Sequence, residues 1–529
     1  MKEILIIGLI SMCFGFGPKA QGSRPAAVLN YSPDVLEQSE DTQRPNIVFI
    51  LSDDHRYDFM GFTGKVPGLE TPHMDRMATQ GIHCQNAFVN TALCSPSRAS
   101  ILTGQFSHVH EVVDNDAPAR DDLIFFPAYL QEAGYKTAFM GKWHMGHYRA
   151  DPRPGFDHWV SFEGQGVYYN PSLNVDGEEV EYTDDEYITD VLTEYATNWI
   201  GEQAKSDSPF FLYLSHKAVH AEFMPARRHQ GQYAEVEITY PPTMFPPDVD
   251  LQNYRSVTAP QPSLDEMRRA ISVNYRYALV PEWVKRQRNS WHGVDYMYNG
   301  QMTFDAFYRN YLETLLGIDE SIGTVLSKLE EEGLLENTIV VYMGDNGFSF
   351  GEHGLIDKRH AYEESMRVPL LVYAPGMLRA QPLTDMVTNV DIAPTFLDVA
   401  GLPKPDQMNG QSFLPLLQGR PAATWRTHFF YEYYWERPFP QTPTVHAIRS
   451  DHYKFIRYHG IWDINEFYDL EADPYEAVNL IDHPDHQETI RAMNEQLFLW
   501  LEETQGLKIP LKPTLRVRGG QDWRYGHTY

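Results

Sequence analysis

The sequence predicts an open α/β sheet covered by helices on both faces, and three patterns carry that prediction. Four continuous apolar runs of strand length each stop at a polar cluster, as buried parallel strands do when they end in a loop. The stretches between them show helical spacing closed by glycine. Alternation of the two element types is the signature of a sheet flanked by helices.

Taken in order, the chain opens with MKEILIIGLISMCFGFGPKAQG, in which Lys2 precedes an apolar run from Ile4 to about Phe16 and small residues such as Ala20 follow. That run is too short to span a bilayer, which takes about 20 residues. It fits a secretory signal over residues 1–22, so an exported, periplasmic or secreted protein is expected. Residues 23–44 are polar and aperiodic, a linker. No later stretch is long and apolar enough for a membrane span.

A catalytic body is expected over 45–419. Asn46–Leu51 (NIVFIL) leads into Ser52-Asp53-Asp54, and Tyr135–Met140 (YKTAFM) into Gly141-Lys142-Trp143-His144. Phe210–Leu214 (FFLYL) leads into Ser215-His216-Lys217, and Thr338–Met343 (TIVVYM) into Gly344-Asp345-Asn346. Ligands bind beyond the carboxyl ends of strands in such sheets, so the four clusters predict one site. Between the strands, Phe126–Glu132 reads as a short helix ended by Gly134. Leu312, Leu315, Leu316, Ile322, Val325, Leu326 and Leu329 line one face of a longer helix that Gly333 stops. Residues 223–300 are too long for a simple connection and are expected to decorate the rim of the site. Over 420–529, His446–Tyr458 and Glu466–Leu470 suggest short antiparallel strands. Pro484–Glu503 suggests a closing helix, which makes a smaller C-terminal subdomain.

The formal net charge of −29 over 529 residues makes a nucleic-acid partner a poor expectation. Three cysteines are too few for a disulfide scaffold. Cys13 falls in the leader, leaving Cys84 and Cys94.

Asp53, Asp54, Asp345 and Asn346 supply hard oxygen ligands from two strand ends. Three carboxylates cannot converge without a counter-charge, and Ca²⁺ suits a flexible oxygen shell. Mg²⁺ is the nearer rival, whereas zinc would want more His or Cys. In Leu93–Gly104, Pro96 suits a first helical turn, so Cys94 opens a helix where free N–H groups favour an anion. Arg98 follows one turn later on the same face. Three residues between Cys and Arg are too few for the phosphate cradle of a thiolate phosphatase.

Cys94-Ser95-Pro96-Ser97-Arg98 with Thr103-Gly104 resembles the C-x-P-S-R…T-G signature of the type I sulfatases of the alkaline-phosphatase-like superfamily. The resemblance runs from about Asn46 to the C-terminal helix. It implies an α/β fold with an open mixed sheet sandwiched by helices and a smaller C-terminal α+β subdomain. It implies that Cys94 is oxidised to Cα-formylglycine (3-oxoalanine) by a formylglycine-generating or anaerobic sulfatase-maturating enzyme, leaving Cys84 without a partner. Asp53, Asp54, Asp345 and Asn346 resemble the ligands of one Ca²⁺, with the modified Cys94 side chain adding an oxygen. Arg98 resembles the residue that holds the formylglycine hydrate, and Lys142 and His144 the pair near the nucleophile. Lys358 resembles the sulfate-binding lysine. His216 resembles the leaving-group histidine and is favoured over His220 as nearer the strand end, although the Pro common after that histidine is replaced by Ala218-Val219-His220.

That set implies attack on sulfur with the charge neutralised by the metal, Lys142, Lys358 and Arg98. A protonated side chain meets the leaving alkoxide, and the aldehyde re-forms to release sulfate. Aromatic residues expected at the rim (Tyr168, Tyr169, Trp283, Trp291, Tyr296, Tyr298 and Tyr431–Trp435) suit sugar rings. His220, Arg227, Arg228 and His292 are candidate contacts to an anionic glycan. The expectation is hydrolysis of sulfate esters on a polysaccharide or oligosaccharide, as in the secreted bacterial glycan sulfatases that the chain resembles. The rivals are an aryl or small-molecule sulfatase, a phosphoester or phosphonate hydrolase, and an inactive glycan-binding relative.

Overall fold

The four apolar runs form four neighbouring strands at the middle of one ten-stranded sheet. Across the sheet the strands run Gln381–Leu383, Ile82–Cys84, Leu370–Tyr373, Thr338–Gly344, Asn46–Ser52, Phe210–Ser215, Lys136–Lys142, His158–Phe162, Ser172–Val175 and Glu178–Glu181. Asn46–Ser52 pairs in parallel with both its neighbours, and Phe210–Ser215 pairs in parallel with Lys136–Lys142. Antiparallel pairings toward both edges make the sheet mixed. The computed structural model describes residues 44–146, 149–245, 278–290, 292–294, 302–420, 424–459 and 463–510. The leader, nearly all of the linker and the middle of the 223–300 segment lie outside these residues.

Alternate residues of each central strand face opposite sides of the sheet, and both sides are buried. Ile47, Phe49 and Leu51 enter one core with Ala99, Ile101, Phe126, Leu130 and Phe396, from helices Cys94–Thr103, Phe126–Glu132 and Ile392–Val399. Val48 and Ile50 enter the other with Met74, Leu192, Leu312, Leu315, Ile322 and Leu326, from helices Pro72–Gln80, Ile188–Gln203 and Phe304–Glu331. Each fully buried aliphatic side chain contributes about 1.5–3 kcal/mol, so the central strands need no polar alternation to be stable. Helix Phe304–Glu331 carries the predicted apolar stripe and stops just before Gly333, which adopts φ 69°.

A second sheet has four antiparallel strands, Phe429–Tyr433, Thr444–Arg449, Tyr453–His459 and Glu466–Asp469. Its inner face gives Tyr431, Tyr433, Val445 and Ile456 to the first core. Its outer face packs Ile448, Phe455 and Phe467 against Ile490, Leu497 and Trp500 of helix Gln487–Glu503. Strand Phe429–Tyr433 takes in Tyr431–Tyr433 of the stretch expected at the rim, and FFYEY presents aromatic residues on both sides of that strand.

Candidate active site

Parallel pairing brings the four polar clusters to one edge of the sheet. In register, Ser52 lies opposite Gly344, Leu51 opposite Ser215, and Ser215 opposite Gly141. The residues that follow must therefore converge. Gly141 makes the approach possible: at φ 122°, a Cβ there would sit 1.7 Å from the Ser215 carbonyl oxygen. Helix Cys94–Thr103 points its N-terminus at the same edge, and Gly104 at φ 66° closes it by donating to the Ser100 carbonyl.

Cys94 is fully buried at the centre of this cluster. Its Sγ lies 3.3 Å from Asp53 Oδ1 and 3.3 Å from Lys358 Nζ. Lys358 also pairs with Asp54 Oδ1, and Lys142 with Asp53 Oδ2. Arg98 donates from Nε to Asp345 Oδ2 at 2.9 Å, and its Nη1 donates to the Lys142 carbonyl at 2.7 Å and to Ser215 Oγ at 2.6 Å. One guanidinium thus ties three strand ends together. Asp345 Oδ1 accepts from the Asp54 amide at 3.0 Å, and Asn346 Nδ2 donates to Asp54 Oδ1 at 2.7 Å.

Oxygens of Asp53, Asp54 and Asp345 all lie within 4.8 Å of one another. Burial, with Asp53 and Asp345 nearby, pushes the Asp54 carboxyl up to about 7 despite Lys358. Burial and Asp53 likewise raise Asp345. At Asp53 burial is outweighed by Lys142, His220, Arg98 and Lys358, which hold it well below the usual carboxylate range. The buried Asp54 Oδ2 and Asn346 Oδ1 have no hydrogen-bond partner. Crowded acids and orphaned hard oxygens are what a divalent cation relieves, so the donor set fits the expected metal. Burial, with Asp53 beside it, drives the Cys94 thiol far above its ordinary range, so the unmodified side chain is not a thiolate. Cys84 and Cys94 are both buried and unpaired.

The histidines do not all fall where expected. His216 turns away from the cluster: its Nε2 meets Ser321 Oγ of helix Phe304–Glu331 at 3.0 Å, and burial lowers it to about 3. His220 takes the place expected of it. Its Nε2 lies 4.0 Å from Asp54 Oδ2, and it groups with Asp53 and Cys94 within 4.8 Å. The reason lies in the backbone. The Asp53 amide donates to the Ala218 carbonyl and the Val219 amide to the Asp53 carbonyl, while the His220 amide closes a turn onto Lys217. The chain therefore doubles back over Asp53 and returns the later histidine to the site. His144, at φ 61°, sets its Nδ1 3.2 Å from Ser95 Oγ, which also donates to the His144 carbonyl.

Among the candidate glycan contacts, Arg227 and Arg228 are exposed and held by acids, Arg227 by Asp185 and Arg228 by Asp190 and Glu320. His292 is buried, with Nδ1 2.9 Å from Asp357 Oδ2, beside Lys358. The aromatic rim is largely core: Tyr168, Trp283, Tyr431, Tyr433 and Tyr434 are buried, whereas Trp435 is 43% exposed. Trp291, Tyr296 and Tyr298 lie outside the described residues. Lys217, part of the third polar cluster but given no role from the sequence, is buried beside the site with its Nζ 4.7 Å from the centre of the Tyr168 ring. Its signal was its place at the end of strand Phe210–Ser215.

Residues 45–402 match the family Sulfatase, and residues 351–503 match the family described as N-sulphoglucosamine sulphohydrolase, C-terminal. The chain is 35% identical over 518 residues to an N-acetylglucosamine-6-O-sulfatase of Bacteroides thetaiotaomicron, covering 91% of this chain and 90% of that one. It is 29% identical to the human N-acetylglucosamine-6-sulfatase, covering 92% and 88%. A solved structure of a protein in complex with its substrate D-glucosamine-2-N,6-O-disulfate superposes with a TM-score of 0.73 at 33% identity, over 89% of this chain and all of that one. The strand-end cluster, the Cys94 helix and these matches agree: the chain belongs to the sulfatase family of the alkaline-phosphatase-like superfamily and is a sulfuric ester hydrolase.

Proposed function

We propose that this enzyme removes a sulfate ester from a glycan, with 6-O-sulfated N-acetylglucosamine as the favoured target. The relatives named above support that sugar. The observation that carries the reading is Cys94 itself: a buried thiol held far from ionisation, yet set 3.3 Å from both Lys358 and Asp53. That placement suits a cysteine converted to Cα-formylglycine by a maturation enzyme, whose hydrate supplies the nucleophilic hydroxyl. Asp53, Asp54, Asp345 and Asn346 would hold one Ca²⁺, which supplies Lewis-acid polarisation at the same point.

The chain's own residues do the rest. Lys142, Lys358 and Arg98 are fixed cations in a buried site, where charge building on a sulfuryl group is stabilised far more than in water. Arg98 is locked by Asp345, Ser215 and the Lys142 carbonyl, so its guanidinium needs no reorganisation. His220, rather than His216, is assigned the proton transfer to the leaving sugar oxygen, because it is His220 that groups with Asp53 and Cys94. His144 braces the first helical turn through Ser95. His292, next to Lys358, remains a candidate sugar contact, and the ion-paired Arg227 and Arg228 are weaker ones. In this reading residues 45–419 carry the chemistry, 420–529 are the smaller C-terminal subdomain, and residues 1–22 direct export. No helix among the described residues is long and apolar enough to cross a membrane.

The test is sulfate release by the matured enzyme from N-acetylglucosamine-6-sulfate, its 3-sulfated isomer, a sulfated galactosamine and an aryl sulfate. Preference for the 6-sulfate supports the reading. Release from the aryl sulfate alone would replace it with a small-molecule sulfatase.

A further inference from the structure

Each buried carboxylate of the site is paired with a fixed cation: Asp53 with Lys142 and, at 3.7 Å, with Arg98, Asp54 with Lys358, and Asp345 with Arg98. A fourth cation has no such match. Lys217 is only 4% exposed, and among the described residues its ammonium makes no hydrogen bond or ion pair. Its ammonium rests instead over the face of Tyr168. A cation–π contact, about 2 kcal/mol when desolvated, is small beside the cost of burying an ammonium without a counter-ion.

The position of Lys217 is built. The His220 amide donates to the Lys217 carbonyl at 3.0 Å, and the Tyr168 hydroxyl donates to the His220 carbonyl at 2.6 Å. Lys217, Tyr168 and His220 therefore form one wall, within electrostatic reach of Cys94, Asp53 and Lys142. Burial first, then Lys142, lowers Lys217 to about 7. Its charge is costly until an anion shares the space.

We infer that Lys217 is a substrate-binding residue whose counter-charge is the ester sulfate itself, completing a set of four cations with Lys142, Lys358 and Arg98. This rests on the reading of the site as a glycan sulfatase and names the side chain that couples sulfate entry to its wall. Lys142, Lys358 and Arg98 each pair with an acid of the chain, whereas the Lys217 ammonium pairs with none.

The test compares matured wild type with Lys217→Met, which keeps length and packs on Tyr168 without charge, and with Lys217→Arg. Inorganic sulfate serves as the probe, both as competitive inhibitor and as thermal stabiliser, beside turnover of N-acetylglucosamine-6-sulfate. Lys217→Met should weaken sulfate inhibition roughly tenfold or more and lower kcat/KM roughly 100-fold, with the melting temperature unchanged or raised. Lys217→Arg should recover part of the sulfate affinity. Wild-type inhibition and kcat/KM in Lys217→Met would overturn the proposal. So would failure of both variants to fold, since the ammonium would then be a structural requirement. If wild type is silent on every ester, yet sulfate stabilises it and not Lys217→Met, the role of Lys217 stands and the glycan-ester reading falls.

Discussion

Lys358 Nζ stands 3.3 Å from Cys94 Sγ while it pairs with Asp54 Oδ1, so one ammonium links the Cys94 side chain to the acid cluster. Replacing it with methionine removes a fixed charge from a buried site and strands Asp54. Turnover of the matured Lys358→Met enzyme should fall roughly 100- to 1,000-fold, and steady-state sulfate release measures it. Activity within a few-fold of wild type would remove Lys358 from the chemistry.

The metal prediction follows from the same acids. Asp54 Oδ2 and Asn346 Oδ1 lack partners, and burial raises both Asp54 and Asp345. Exhaustive chelation should abolish turnover and lower the melting temperature, because a cation that binds only the folded state stabilises it. Added Ca²⁺ should restore both, and Asn346→Ala should require more Ca²⁺ for the same recovery. Restoration by Zn²⁺ alone would contradict the oxygen-donor argument.

His216 and His220 should separate cleanly. His220→Ala removes the group near Asp54 and Cys94 and should slow sugar-ester hydrolysis roughly 100- to 10,000-fold. An aryl sulfate with a good leaving group should suffer much less, since it needs little proton donation. His216→Ala loses the 3.0 Å contact to Ser321 and should cost about 1–3 kcal/mol of stability, with kcat largely kept. Equal losses on both ester types in His220→Ala would argue against a proton donor.

A pH dependence is expected away from the site. His108 Nδ1 lies 2.8 Å from Glu432 Oε2, joining the segment after the Cys94 helix to the second sheet. Burial opposes the His108 charge, but Glu432 overrides it and raises the imidazole above its ordinary value. Glu432, despite burial, is held down to about 2 by His108. Stability from the raised His108 is full below about pH 6.5 and is lost as pH climbs through its folded value. Stability from the depressed Glu432 is full above about pH 4.5 and is lost as pH falls toward 2. The pair is therefore worth most between those limits. His108→Gln should lower the melting temperature more at pH 5.5 than at pH 9, and an equal drop at both would show that the pair is uncharged.

The sheet and the cluster of acids at its strand ends were legible because each rests on short-range pattern. An apolar run followed by Asp-Asp or Gly-Asp-Asn already says where a parallel strand ends, and parallel pairing then brings Asp53, Asp345 and Lys142 to one edge. The same holds for Cys94 and Arg98, fixed by one helical turn. What stayed hidden depends on contacts far apart in the chain. That His220, and not His216, returns to the cluster turns on the exchange of backbone hydrogen bonds between Asp53 and residues 218–219, which nothing near those residues announces. Arg227 and Arg228 looked available for a glycan until Asp185, Asp190 and Glu320 came beside them. The aromatic stretch Tyr431–Trp435 mixes packing with exposure, and only its place on an inner sheet face separates buried Tyr431 and Tyr433 from Trp435.

The most direct test is peptide mass across Cys94–Arg98 in protein co-expressed with a maturation enzyme, paired with sulfate release by wild type and Cys94→Ala. The account predicts an aldehyde in place of the Cys94 thiol, sulfate release that scales with the converted fraction, and a folded Cys94→Ala protein without turnover. Sulfate release by Cys94→Ala, or by wild type whose Cys94 is wholly unconverted, would contradict it.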